Sequence, residues 1–183
     1  MRIIAGKHKG LKLETFEVGG IRPTLERARE GIFNKIQFKI PNSVCLDLFG
    51  GTGAISLELL SRGASKVVIV DISHDSCELI KKNFSKAQEI PNLLKIDYMQ
   101  AIESLKENKF DMVFLDPPFA SDYAQKAIVK IMKENMLKDD GIIVFEHSFV
   151  GEYFSKDFLE QCGLIKIDSK KYGTIAVDFF QGN

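Results

Sequence analysis

The sequence predicts an α/β fold on a mostly parallel sheet, and three observations predict it. From Ser43 onward, short apolar runs alternate with segments of helical periodicity, the pattern of strands joined by helical crossovers. The first run, Ser43 to Phe49, passes through Gly50-Gly51-Thr52-Gly53 straight into the helical pattern of Ala54 to Leu60. The last two runs, Leu164 to Ser169 and Thr174 to Phe180, lie too close for a crossover helix and read as an antiparallel hairpin.

Taken in order, residues 2–14 suggest a small hairpin turning at Lys7 to Gly10. Val18 to Pro23 reads as a loop, and Thr24 as the N-cap of a helix reaching about Phe38. Strands are expected over 43–49, 66–71, 93–97, 110–115 and 141–146, and helices over 54–62, 74–88, 98–107 and 122–137. The terminal hairpin, turning at Lys170-Lys171-Tyr172-Gly173, brings the strands to seven. Residues 1–39 form an N-terminal basic extension and 40–183 the main domain; no repeat or low-complexity segment is visible.

Two segments carry chemistry. Strand, glycine turn and helix in that order open a nucleotide-type site, because glycines let the backbone approach a ligand and the helix N-terminus offers free N–H groups. A dinucleotide fingerprint needs a third glycine, and Ser56 stands there. The carboxylate of Asp47 beside the turn would repel a pyrophosphate but attract a cation, such as the ammonium of S-adenosylmethionine. The next strand ends at Asp71, about 20 residues past the glycines, the spacing of a ribose-hydroxyl ligand. The second segment is Asp116-Pro117-Pro118-Phe119, which closes the run Phe110 to Leu115. Two prolines make a stiff ledge that continues neither strand nor helix. A carboxylate, the Pro117 carbonyl and the Phe119 ring on that ledge suit a flat, amine-bearing ring. The plainer alternative is a strand-ending turn with a buried Phe.

With these residues in place, the chain resembles the small bacterial methyltransferases that modify the 2-amino group of one guanine in small-subunit (16S) ribosomal RNA. The matching residues are Arg2-Ile3-Ile4-Ala5-Gly6 with Lys9-Gly10, Arg22-Pro23-Thr24 with Arg27 and Glu30, and Phe33-Asn34. They continue through Asp47-Leu48-Phe49 and its glycines, Leu59 with Ser61-Arg62-Gly63-Ala64, and the Asp-Pro-Pro-Phe segment. Gly50 and Thr52 stand where that family often has Ala and Ser, and Asp71 where Glu is common. The resemblance implies a Rossmann-like seven-stranded methyltransferase sheet ending in the antiparallel hairpin. It implies that Asp47, Gly50, Gly51 and Gly53 hold the methionine part of S-adenosylmethionine, Asp71 the ribose, and Asp97 lies near the adenine amine; Phe49 joins this cofactor-binding set, the alternative being that it stays in the core. Asp97 also reads as an N-cap for the helix that starts at Tyr98. Asp116, Pro117 and Phe119 would be catalytic, and S-adenosylhomocysteine would be the product. Glu146 ends the fifth strand with no role assigned.

Composition agrees. A chain of 183 residues suits one domain with a sizeable core. No stretch approaches a membrane span, Met1-Arg2-Ile3 opens no signal peptide, and three scattered cysteines suggest a reducing cytoplasm without a metal site. Net charge is zero yet uneven: residues 1–39 hold nine bases and four acids, net +5, and the remainder is net −5. The extension is therefore expected to face RNA through Lys7, Lys9, Lys12, Arg22 and Arg27, the alternative being a solvated helix face. The expected partner is ribosomal RNA within a protein-bound small-subunit particle, and the expected oligomeric state a monomer.

The expected reaction is direct methyl transfer to an exocyclic ring amine. Asp116 and the Pro117 carbonyl would accept from both N–H groups and aim the nitrogen lone pair. Guanine presents two adjacent donors, which a carboxylate can accept, whereas adenine sets an amine beside an acceptor. Three alternatives stay open: a DNA amino-methyltransferase acting on adenine, a dinucleotide-dependent oxidoreductase, and a non-catalytic RNA-binding module. The oxidoreductase leaves Asp47 and the proline ledge unexplained; the RNA-binding module accounts only for the basic segment.

Overall fold

The computed structural model describes residues 1–16, 23–118, 121–149 and 151–183. Its elements are α1 (Pro23–Ile36), β1 (Val44–Asp47), α2 (Ala54–Ser61), β2 (Lys66–Val70), α3 (His74–Lys86), β3 (Asn92–Leu94) and α4 (Tyr98–Ser104). They continue with β4 (Phe110–Leu115), α5 (Tyr123–Lys133), β5 (Leu137–Ser148), α6 (Lys156–Gln161), β6 (Leu164–Tyr172) and β7 (Ile175–Gly182). One seven-stranded sheet has the order β3-β2-β1-β4-β5-β7-β6. β1 to β5 pair in parallel, and β7 runs antiparallel to both β5 and β6. The order reverses beside β1, so ligand-binding loops gather at the carboxyl ends of β1 and β4.

Period-two alternation splits the core between the two faces of this sheet. Cys45, Val67, Met112 and Ile142 pack toward α1, α2 and α3, while Leu46, Val68, Val113 and Ile143 pack toward α4, α5 and α6. Covered on both faces, the parallel strands can be apolar almost throughout.

The N-terminal hairpin docks on the first of these faces through polar contacts to α2. Arg2 bridges Lys12, and Gly10 N–H donates to Ile3 O at 2.9 Å. The fully buried Glu58 accepts from Ile4 N at 2.7 Å, from Ala5 N at 3.0 Å and from Arg62 Nε at 2.7 Å. Lys7 N–H donates to Ser61 O at 2.8 Å. A Cβ on Gly6 would lie 1.8 Å from that same carbonyl oxygen, so only glycine fits. The segments Arg2 to Gly6 and Ser61 to Ala64, far apart in sequence, are thus two halves of one joint.

Element boundaries depart from the sequence expectations at several places. The first helix already begins at Pro23, which its fixed φ suits, so Thr24 lies inside it instead of capping it. β1 ends at Asp47 because the chain turns into the glycine loop, and β3 stops at Leu94 because β2, its one partner, ends at Val70. α5 stops at Lys133, four residues early: Asn135 adopts φ 51° and Met136 N–H returns to Ile131 O at 3.0 Å, a left-handed helix stop with Asn in the glycine position. The chain freed by that stop starts β5 at Leu137, paired with Phe110. α6, unexpected from sequence, is capped by Ser155 Oγ, which accepts from Phe158 N at 3.2 Å. Among the described residues no helix is long and apolar enough to cross a membrane.

Candidate active site

The carboxyl ends of the parallel strands bring five acids together. Asp47 closes β1, Asp71 follows β2, Asp97 lies beyond β3, and Asp116 follows β4. Leu115 pairs with Phe145 in register, so Asp116 and Glu146 come next on neighbouring strands. They surround two joined cavities of about 230 and 650 Å³, a scale suited to small ligands. Asp47, the glycine loop and Arg29 line the smaller one; Asp71, Asp97, Tyr98, Tyr123 and Ile72 line the larger. Phe49, Gly51, Asp116 and Glu146 line both and mark the junction.

The loop between them is held tightly. Gly50 N–H donates to Val70 O at 2.8 Å, with its Cα so close to β2 that a Cβ would lie 2.6 Å from Ile69 Cγ2. Gly53 takes φ 76° at the N-cap of α2, where its N–H donates to Gly50 O at 2.7 Å. Asp71 braces the loop from β2: Oδ2 accepts from Gly51 N at 2.8 Å and Oδ1 from Ser73 N at 2.8 Å. A carboxylate offers about four acceptor positions, so Asp71 retains capacity for a ligand hydroxyl. Asp97 caps α4, accepting from Met99 N at 2.8 Å through Oδ1, while also lining the cavity. Beside it Tyr98 stacks on Tyr123 at 4.9 Å and meets Phe49 at 5.4 Å, an aromatic wall. Ile72, which lines the same cavity, stands 67 % exposed, an apolar side chain with little of its own chain to cover it.

The smaller cavity has a different electrostatic character. Asp47 is buried and accepts from Ser56 Oγ at 2.6 Å; the hydroxyl at the third fingerprint position serves this carboxylate where a glycine would serve a dinucleotide. Burial raises the Asp47 pKa to about 6, against the lowering pull of Ser56 and the Phe49 backbone. Asp116 is accessible through the cleft yet walled by protein. Desolvation, then the charges of Glu146 and Asp47, hold its carboxyl well above the ordinary range. Accessibility and desolvation coexist here because a concave wall crowds a side chain that water still touches at one side. Glu146 is likewise raised, chiefly by burial. Glu146 is the site residue that sequence reasoning left without a role; the signal available was an acid ending a strand next to that of Asp116. Arg29 was also missed, because one arginine among nine N-terminal bases carries no mark of burial.

Of the residues expected from sequence, Asp47, Phe49, Gly50, Gly51, Asp71, Asp97, Asp116 and Pro117 line the cavities, and Gly53 sets the loop behind them. Phe119 and Arg22 lie outside the described residues. Lys7 is exposed but ion-paired with Glu89 at 2.5 Å, whereas Lys9, Lys12 and Arg27 are exposed with no ion pair among the described residues. Among the described residues no group of three or more His, Cys, Asp or Glu side chains is placed to hold a metal.

A family model described as conserved hypothetical protein 95 matches residues 1–181. The ribosomal RNA small subunit methyltransferase D of Haemophilus influenzae is 36 % identical over 152 residues, covering 80 % of this chain and 78 % of that protein. Its namesake in Escherichia coli K12 is 30 % identical over 146 residues, covering 80 % and 74 %. The solved Escherichia coli structure proposed to be the methyltransferase yhhF superposes with a TM-score of 0.83 at 27 % identity, covering 100 % of this chain and 98 % of that one.

Proposed function

This chain belongs to the conserved hypothetical protein 95 family, that of ribosomal RNA small subunit methyltransferase D, and from that premise we propose that it methylates the exocyclic 2-amino group of a guanine in small-subunit ribosomal RNA. The methyl donor in this reading is S-adenosylmethionine. The observation that carries the reading is the junction: Asp116 lines both cavities and Pro117 the larger one beside it, with Asp47 in the smaller cavity and Asp71 in the larger.

The residues fit that cofactor. Asp47 is a buried carboxylate partnered by one hydroxyl and one backbone N–H; a buried charge so thinly compensated is expensive, and an ammonium would offset it. Asp71 keeps acceptor capacity for ribose hydroxyls, Ile72 and Tyr98 would hold the adenine, and Asp97 would accept from its amine. When bound, the cofactor supplies an electrophilic methyl group on sulfur.

The chain's own residues do the rest. Asp116 and the Pro117 carbonyl accept the two N–H groups of the target amine and point its lone pair toward the junction. Fixed position and fixed charge lower the barrier. The raised pKa of Asp116 suits it to take the proton the amine sheds as the N–C bond forms. Glu146 sets a second acceptor beside it. Two carboxyl groups side by side match guanine, whose N1–H and 2-amino group are adjacent donors; adenine's ring nitrogen would face a carboxylate lone pair. In this reading Phe119 has the role of stacking on the target base, and Lys9, Lys12 and Arg27 hold RNA phosphates. The RNA is methylated within a small-subunit particle.

Nucleoside analysis of small-subunit ribosomal RNA from cells with and without the gene tests this reading. Loss of one N2-methylguanosine is the expected result. Loss of a different methylated nucleoside would transfer the activity to another base, and an unchanged set would remove the substrate assignment.

A further inference from the structure

Arg29 is an arginine in an apolar place. On α1 it shares a face with Ile32, Phe33 and Ile36, at helical spacings of three, four and seven, and it is 6 % exposed. Its Nη2 donates to the Arg2 carbonyl. Its Nε and Nη1 are buried without a hydrogen-bond partner. The nearby carboxylate of Glu58 is committed to Ile4 N, Ala5 N and Arg62 Nε. Burial lowers the Arg29 pKa, with the charges of Glu58 and Glu26 opposing that shift only in part. A desolvated cation with two idle nitrogens is costly in an unliganded fold. It becomes favourable when an anion arrives.

The cavity says which anion. Arg29 lines the smaller cavity together with Asp47, Asp116 and Glu146, amid Ile32, Phe114 and Val144. Three acids and apolar walls would repel an RNA phosphate. A zwitterion fits: a group that carries an ammonium for Asp47 and a carboxylate for Arg29 on one carbon.

We propose that Arg29 binds the α-carboxylate of the cofactor's amino-acid end, so that Asp47 and Arg29 form a clamp across both charges of one zwitterion. The assignment rests on the cofactor reading above. It makes the N-terminal segment part of the cofactor site, because α1 supplies one jaw and the Arg2 carbonyl holds that jaw in place. The clamp also defines a selectivity: ligands that share the adenosine, sulfur and amine but lack the carboxylate are rejected.

Calorimetry on the full chain with S-adenosylmethionine and with its decarboxylated analogue tests this. The analogue keeps the sulfonium, the adenosine and the amine, and carries one more net positive charge. The acids alone would therefore favour the analogue. The wild-type chain is expected to bind S-adenosylmethionine at least about tenfold more tightly, as a charge-assisted hydrogen bond implies. In Arg29→Gln the preference should vanish or invert, because the first ligand weakens and the analogue does not. Arg29→Lys, which preserves a charge on a shorter reach, should lower the preference several-fold and serves alone where the Gln variant does not fold. Equal binding of both ligands to the wild type, or an unchanged preference in the variants, would overturn the clamp. Failure of both ligands to bind would remove the cofactor reading, and the clamp with it.

Discussion

The two halves of the cleft use the same side chains in opposite ways. In the larger cavity Asp71 and Asp97 are tied to the backbone by N–H groups at 2.8 Å, one bracing a loop and the other capping a helix. In the smaller cavity and at its junction with the larger, Asp47, Asp116 and Glu146 have few donors, and all three are shifted upward by burial. Tied carboxylates are rigid acceptors with spare lone pairs, suited to neutral hydroxyls and amines. Thinly partnered ones form a pool of negative potential, suited to cations and to a proton in transit. The difference teaches which half of the cleft shapes the ligand and which half does the chemistry.

The largest effect should come from the chemical half. Asp116→Ala is expected to lower turnover by at least about 10²–10³-fold, the scale of a lost electrostatic stabiliser, while leaving cofactor affinity near wild type. Single-turnover methylation beside calorimetry separates the two. Equal loss in both would erase the distinction between the cavities.

Next is Asp47. Asp47→Ala should weaken S-adenosylmethionine by roughly 1.5–3 kcal/mol, read by calorimetry. Affinity in the wild type should climb as pH rises through about 6, since the carboxylate must be ionised to hold the ammonium. Stability runs the other way. A carboxyl whose folded pKa lies above its unfolded value favours folding at acid pH, and that contribution is lost as pH rises through about 6. Asp47→Asn should therefore stabilise the unliganded chain at neutral pH by on the order of 2 kcal/mol, seen as a higher melting temperature.

A smaller effect is expected in the tied half. Asp97→Ala removes the cap of α4 and should cost about 1 kcal/mol of stability, with a modest loss of cofactor affinity. A stability loss with no change in affinity would make Asp97 a cap alone. The smallest effect belongs to the rim. Reversing Lys9 and Lys12 to Glu should raise the RNA KM and flatten its salt dependence without touching cofactor binding. Lys7 is a poorer probe, because reversal would set two glutamates against each other at Glu89.

Much of this was legible in the chain. Asp47, Asp71 and Asp116 announce themselves because strand-to-loop junctions in a parallel sheet all open on one edge, so linear order becomes spatial convergence. The hairpin at β6–β7 follows from the short gap between two apolar runs. What the sequence hid depended on tertiary contact. Asn135 ends α5 through a left-handed turn that Asn adopts only sometimes, and β5 lengthens as a result. Glu146 acquires meaning only from its register beside Asp116, and Arg29 only from burial on α1. The basic extension reads in sequence as an RNA-facing arm; in the fold its hairpin backbone is locked to Glu58 and Ser61, which leaves only its side chains for a partner.

The contrast between the two halves is tested most directly by following the Asp47 carboxyl carbon by nuclear magnetic resonance across pH, without ligand and with S-adenosylhomocysteine, which retains the ammonium. Without ligand the midpoint should fall at about 6, and with ligand it should drop toward the ordinary carboxylate range as the ammonium settles against it. A free-state midpoint near 4, the ordinary aspartate value, or a midpoint that ligand does not lower, would contradict the account.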